Sequence, residues 1–256
     1  MSEALEKFPI LGIPVHLFGN YSSWLVSRLH QKRGSHVVTL NSEMVMQAEK
    51  NPALASIIEQ AELVIPDGSG VILYLQIHGK QQKRCPGIEL AESLLLHSGE
   101  DGKSYSIFLY GAQPGVAQKA AEVWQERVPS LAIAGTQHGY LKPEEEPEFL
   151  QTLKNLQPNI ILVGLGVPRQ ELWIAQNRHL CPDAIWIGVG GSLDIWAGIK
   201  SRAPALLREN NLEWLYRLYQ EPWRWKRMAV LPQFALRSVT HRLLGGLGRS
   251  PVSNQP

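Results

Sequence analysis

The stretch His36-Val-Val-Thr-Leu-Asn41, followed downstream by Ala61-Glu-Leu-Val-Ile-Pro-Asp67-Gly68, decides the fold. Each is an apolar run of strand length that ends in a small polar cluster. Between them, residues 42–60 carry Met44, Val45, Ala48, Leu54, Ile57 and Ile58 at helical spacing, which predicts a helix. Strand, helix, strand predicts a parallel pair joined by a right-handed crossover. Thr39, Asn41 and Asp67 then fall together at the carboxyl edge of one sheet. Open α/β sheets bind their ligands at that edge.

The same alternation runs outward in both directions. Residues 9–15 read as an extended opening and 24–31 as a short amphipathic helix stopped by Gly34. Residues 70–79 and 88–96 read as helices on either side of a polar, basic loop, Gln81-Gln-Lys-Arg84-Cys-Pro-Gly87. Further strands are predicted at 105–110, 131–134, 159–163 and 184–188, with helices at 116–127 and 142–156. The acidic run Glu144, Glu145, Glu146 and Glu148 fits a solvated helix start. Alternation to about residue 196 predicts a doubly wound, mainly parallel sheet over residues 1–196. A helical, basic appendage over 197–245 and a disordered tail over 246–256 complete the expected organisation.

Composition narrows the class. A chain of 256 residues with a hydrophobic fraction of 44% can build one large α/β domain, or a core with an appendage. Cys85 and Cys181 form no CxxC pair, which points to a reducing compartment and no disulfide framework. The start, Met-Ser-Glu-Ala-Leu-Glu-Lys, is unlike a signal peptide. No run reaches the roughly 18 apolar residues of a membrane span. The net charge of +2 hides an asymmetry: from Lys200 onward there are ten basic and three acidic residues, +7, against −5 for the rest. A basic tail on an acidic body is a signal for an anionic partner.

Asp67 stands out because aspartate is scarce. Of only four, Asp101 and Asp183 fall in loops, whereas Asp67 and Asp194 follow apolar strands. Asp67 reads either as a helix cap beside Gly68 or as an acid facing a ligand, and the two roles are compatible. Glycine-rich turns follow at least three strands, and such turns let backbone N–H groups approach a phosphate. There is no GxGxxG with a following acid and no GxxxxGK[ST], so neither a dinucleotide fingerprint nor a P-loop is supported. The sequence also lacks HxH, HExxH, Asp-x-Asp and GxSxG, so no metal site is predicted.

The tail mixes apolar, aromatic and basic residues. Residues 205–219 read as one helix clustering Leu206, Leu207, Leu212, Trp214, Leu215 and Leu218, broken by Pro222. Trp223-Arg-Trp-Lys-Arg-Met228 then interleaves tryptophan with cations. Three readings stay open: an amphipathic helix docked on the core, a bilayer-interface anchor, or a single-stranded nucleic-acid surface, the last the weakest.

Taken in order, Thr39-x-Asn41, Asp67-Gly68, Arg84-x-x-Gly87, Gly164-x-Gly166-x-Pro168-x-Gln170-Glu171, Gly190-Gly191-Ser192, Arg202-Ala-Pro204 and Glu213-Trp214-Leu-Tyr-Arg217 with Glu221-Pro222 resemble the WecG/TagA/CpsF family of bacterial glycosyltransferases (glycosyltransferase family 26). The resemblance runs from about residue 10 to about residue 228. It implies a Rossmann-like core with a C-terminal, membrane-associating appendage, and homo-oligomers of the core. The implied reaction is a metal-independent, inverting transfer, without cofactor, from a UDP-sugar to a polyprenyl-diphosphate-linked sugar. The sugar would be N-acetylmannosamine or its uronic acid, with glucose a donor in other members. The implied location is the inner face of the cytoplasmic membrane, an anionic surface, with no nucleic-acid partner.

By the same resemblance Asp67 is the catalytic base, and Thr39, Asn41, Arg84, Gln170 and Glu171 bind substrate. Arg217, Arg224 and Arg227 reach the lipid diphosphate. The turns at Gly111, at Gly135, Gly139 and Tyr140, and at Gly164 and Gly166 are candidates for the nucleotide. Cys85-Pro86 departs from the family pattern within the Arg84 loop. The alternatives are a Rossmann oxidoreductase or other nucleotide-binding protein, which would need the missing fingerprint, and a non-enzymatic membrane scaffold.

Overall fold

The computed structural model describes residues 5–100, 105–210, 212–225 and 230–243. Asp101, Arg227, the expected tail 246–256, and the side chains of Glu100, Arg217 and Arg224 lie outside the described residues.

The chain opens with an antiparallel hairpin, β1 (Glu6–Ile10) and β2 (Ile13–Leu17). Helix α1 (Tyr21–His30) leads to β3 (Ser35–Leu40), α2 (Ser42–Ala48), α3 (Pro52–Gln60) and β4 (Leu63–Pro66). Helices α4 (Ser69–Ile77) and α5 (Gly87–Glu100) precede β5 (Ile107–Gly111), α6 (Val116–Arg127) and β6 (Ile133–Gln137). The alternation continues with α7 (Glu146–Leu156), β7 (Ile160–Gly164), α8 (Arg169–Asn177), β8 (Ile185–Gly188) and α9 (Ser192–Trp196). Helices α10 (Ala205–Glu209), α11 (Glu213–Gln220) and α12 (Val230–Leu243) follow.

Strands β3 to β8 form one parallel sheet in the order β4-β3-β8-β7-β5-β6. The expected doubly wound α/β architecture is therefore present. Strands β3, β4, β5, β7 and β8 are buried on both faces, as their near-continuous apolar runs require, while the edge strand β6 is half-buried. Val37, Leu63 and Ile65 join α1, α5, α6 and α9 in one core cluster. Val38, Leu40 and Val64 join the hairpin, α2, α3 and α4 in a second, and Phe108, Ile161 and Trp186 join α7 and α8 in a third. Each such aliphatic side chain contributes roughly 1.5–3 kcal/mol on burial.

Four sequence expectations change. The single helix over 42–60 is two, because Asn51 caps a new start by accepting from Leu54 N (3.2 Å) and Pro52 lacks an N–H. Residues 9–15 are part of the hairpin, whose turn places Leu11 and Gly12 at positive φ. The strand expected at 131–134 lies two residues on, at β6. The helix over 205–219 breaks after Glu209: the Leu206 carbonyl accepts from both the backbone N–H (3.2 Å) and the side-chain Nδ2 (2.8 Å) of Asn210, and Leu212 N reaches back to the Leu207 carbonyl at 2.7 Å, one residue beyond helical spacing.

Beyond residue 197 the described chain returns to the core. Phe234 of α12 is buried beside α2 and α4, and Arg237 pairs with Glu49. Among the described residues, no helix is long and apolar enough to cross a membrane.

Candidate active site

Strand ends meet at the carboxyl edge of the sheet around a cleft of about 280 Å³. Thr39 comes from β3 and Asn41 from just past its end, Asp67 from the turn after β4, Gly166 from the loop after β7, Gln170 from the first turn of α8, and Gly188 to Ser192 from β8 and the turn that leads into α9. Arg84, Lys200, Glu213 and Glu221 close it from the side of α10 and α11.

The Asp67 turn is locked to β3. Its N–H and that of Gly68 both donate to the Leu40 carbonyl, at 3.0 and 3.2 Å. Asp67 Oδ1 accepts from Gly87 N at 3.1 Å, the first residue of α5. The capping role expected of Asp67 is thus met at α5, whereas α4 is preceded by Gly68 without a side-chain cap. A Cβ on Gly68 would stand 2.8 Å from the Asn41 Cβ, and one on Gly87 2.5 Å from Thr39 Cγ2. Glycine at both positions lets the acid turn and the start of α5 close on the end of β3.

Asn41 caps α2, its Oδ1 accepting from Met44 N at 3.0 Å, and Thr39 Oγ1 donates to the Gly188 carbonyl at 3.0 Å. These bonds fix β3 to α2 and to β8 at the cleft's lip. Cys85 lies beside this turn. Burial, with the Asp67 and Glu89 charges behind it, pushes its thiol up to about 12, which favours the thiol over the reactive thiolate.

Two cations of the cleft are held by carboxylates near the ends of α11. Arg84 Nη1 donates to Glu213 Oε2 at 3.1 Å, and Lys200 Nζ lies 2.9 Å from Glu221 Oε1 and 3.3 Å from Asp194 Oδ2. Burial works against the Lys200 charge, but Glu221 and Asp194 outweigh it and hold the ammonium above its ordinary range. Sequence reasoning gave Lys200 no role, since a lone lysine has no motif; it also left Glu213 and Glu221 without partners.

The structure moves several predicted site residues. Glu171 does not face the cleft: it is fully buried, with its carboxylate against His36 and Gln170. Gly135 is not in a turn but inside β6, where a Cβ would strike the Phe108 ring at 2.7 Å. Gly111, Gly139 and Gly164 pack on one another between β5 and β7: a Cβ on Gly111 would lie 2.4 Å from Gly164 O, and one on Gly139 3.2 Å from Gly111 Cα. Tyr140 follows them, exposed. Of the turns expected to hold a nucleotide, Gly166 alone lines this cleft. The crossovers from β5 and β7 lead in opposite directions across the sheet, so the other turns mark its topological switch point. The side chains of Arg217 and Arg224, and all of Arg227, lie outside the described residues.

The profile of the glycosyl transferase WecG/TagA/CpsF family matches residues 8–246. The chain is 36% identical over 214 residues to an N-acetylglucosaminyldiphosphoundecaprenol N-acetyl-beta-D-mannosaminyltransferase of Bacillus spizizenii, covering 83% of this chain and 82% of that one. It is 34% identical over 209 residues to the enzyme of the same name from Bacillus subtilis, covering 81% and 80%. A Staphylococcus aureus enzyme of that name is 36% identical over 198 residues, covering 76% and 74%.

Proposed function

The chain belongs to the WecG/TagA/CpsF glycosyltransferase family, and from that premise we propose that it moves N-acetylmannosamine, or its uronic acid, from a UDP-sugar to a polyprenyl-diphosphate-linked N-acetylglucosamine in cell-surface polymer synthesis. The observation that carries this reading is the convergence of Asp67, Thr39, Asn41, Arg84 and Gln170, from separate segments, on one cleft.

In the proposed step, Asp67 takes the proton of the acceptor hydroxyl. The oxygen bonds to the anomeric carbon from the face opposite the diphosphate. The bond from that carbon to the diphosphate oxygen breaks, and UDP leaves with the electron pair. A diphosphate leaving group needs charge stabilisation rather than an acid. Arg84 and Lys200 supply positive charge at the lip, and backbone N–H groups of the glycine turns add to it. The sequence offers no Asp-x-Asp to hold a divalent ion on the diphosphate, so the transfer is read as metal-independent.

Residues 197–245 are read as an appendage that closes the cleft against water and rests on the inner membrane surface, where Arg217, Arg224 and Arg227 would meet the lipid diphosphate. The turns at Gly111, Gly139 and Gly164 remain the proposed seat of the nucleotide.

A panel of UDP-sugars against a short-chain polyprenyl-diphospho-N-acetylglucosamine, with UDP release and product linkage read out, tests the reading. Turnover with UDP-N-acetylmannosamine, unchanged by EDTA, is expected. Turnover only with UDP-glucose would correct the donor, a strict Mg²⁺ requirement would correct the metal independence, and no transfer from any donor would overturn the proposal.

A further inference from the structure

Gln170 lines the floor of the cleft, and His36 and Glu171 lie behind it; the proposed proton and sugar transfer assigns a step to none of the three, and His36, Gln170 and Glu171 are exposed by 1%, 1% and 0%. Gln170 Oε1 accepts from Gly166 N, in the loop after β7, and from Gly190 N, in the turn after β8, both at 3.1 Å. One amide oxygen thereby pins two glycine segments that line the cleft. An amide has two ends of nearly equal shape and opposite polarity. Turned over, this one would set its NH2 against two N–H donors, and both loops would lose their acceptor.

Its orientation has a visible cause. Gln170 Nε2 donates to Glu171 Oε1 at 3.0 Å, and Glu171 Oε2 lies 2.7 Å from His36 Nε2. A carboxylate offers acceptors alone, so it selects the NH2 end of Gln170. Gly188 makes the room: a Cβ there would stand 2.3 Å from Gln170 Nε2 and 2.5 Å from Glu171 Oε1.

We propose that Glu171, held by His36, is a positioning residue that sets the polarity of the Gln170 amide and, through it, the spacing of the glycine loops at the cleft. Its kinetic consequence rests on the glycosyltransferase reading; its structural consequence does not.

The test therefore has two readouts. Hydrogen–deuterium exchange over residues 164–168 and 188–192, without substrate, reports the clamp itself. Steady-state kinetics with the UDP-sugar donor report its effect on binding. Glu171→Leu is expected to speed exchange in both segments and to raise the donor KM about tenfold, with a smaller fall in kcat. In a Gln170→Met background, which has no amide to orient, the same substitution adds nothing further to KM. Glu171→Gln can still present an oxygen to Gln170 if His36 takes the tautomer that accepts from the new NH2, so it is expected to bring KM back to within about threefold of the parent.

Parent-like exchange in Glu171→Leu, multiplying KM effects in the double variant, or a glutamine variant as impaired as the leucine one would overturn the proposal. Should Glu171→Leu not fold, Gln170→Met decides: unchanged exchange and KM there would show that the clamp holds nothing. If the parent chain transfers no sugar while exchange behaves as expected, the clamp stands and the proposed activity falls.

Discussion

Asp67, the proposed base, makes a contact that an amide can copy. Its Oδ1 accepts from Gly87 N, a bond that the oxygen of asparagine can also accept. Asp67→Asn is therefore expected to leave the start of α5 and the thermal midpoint almost unchanged, yet remove the proton acceptor. Transfer should fall about 10²–10⁴-fold while UDP-sugar binding, read by calorimetry, stays within about twofold. Parent-like turnover would remove Asp67 as base. This residue was legible in the sequence because aspartate is rare in the chain and this one ends a strand run. Glu171 was misread for the opposite reason. Its partner His36 lies 135 positions away, on a different strand, and nothing local distinguishes a buried pair from a substrate contact. Lys200 was missed likewise: its ion pair with Glu221 joins two segments that the sequence keeps apart, and the turn that brings Asp194 back to it carries no motif.

At the level of elements, alternation of apolar runs and helical spacing was enough to read β3, β4, β5, β7 and β8, because a parallel sheet is apolar on both faces; the half-buried edge strand β6, Ile-Ala-Gly-Thr-Gln, gave a weaker run and was read two residues early. What alternation could not give was strand order, which long-range pairing decides, or the hairpin, whose turn depends on Leu11 and Gly12 adopting positive φ. That hairpin is joined to the sheet by His16 of β2, whose Nδ1 accepts from Val64 N of β4 at 2.9 Å. Burial, aided by the Lys7 charge, pushes the imidazole down to about 4 from its ordinary 6.5. Between those two values the unfolded chain binds a proton that the folded chain does not, so stability falls as pH drops from 6.5 toward 4. The loss amounts to roughly 3 kcal/mol. Urea unfolding at a series of pH values should show this slope, and His16→Gln should flatten it; an unchanged slope would assign the acid sensitivity to another group. Helix α12 makes a second test. Phe234→Ala, in the cluster with α2 and α4, is expected to cost about 3–5 kcal/mol if the helix unfolds with the core. A separate early transition in the same melt would show instead that α12 undocks by itself.

For the molecule as a whole, the two halves of the charge pattern have different tasks. The acidic body carries the sheet and the Asp67 cleft, while the segment from Lys200 onward, +7 by sequence, contributes Lys200, Arg202, Glu213, Trp214, Glu221 and Leu231 to the cleft's lining. That segment also leaves large side chains in water: Tyr219 is 82% and Trp223 70% exposed, with Trp225, Leu206, Leu236 and Leu243 largely uncovered as well. Of the three readings the tail allowed, docking accounts for Phe234 and Ser238, which are buried, but not for this uncovered set. Tryptophan and tyrosine beside arginine suit the headgroup layer, where rings sit among acyl ends and cations meet phosphates. The acceptor proposed here is a lipid, so a surface that rests on the bilayer would also bring the cleft to its substrate. Two terms should then add: an apolar one from the rings and a salt-sensitive one from the cations, about 1 kcal/mol per Lys or Arg near the surface. Replacing Tyr219, Trp223 and Leu236 by serine removes only the apolar term from side chains that already face water, so folding should be unaffected. Sedimentation with phosphatidylglycerol vesicles is expected to show about tenfold weaker binding for this variant, with its remaining binding lost as salt rises through the range in which the Debye length falls below about 8 Å. Equal binding by the two proteins would mean that these rings serve another surface, and that the acceptor reaches Asp67 without help from them.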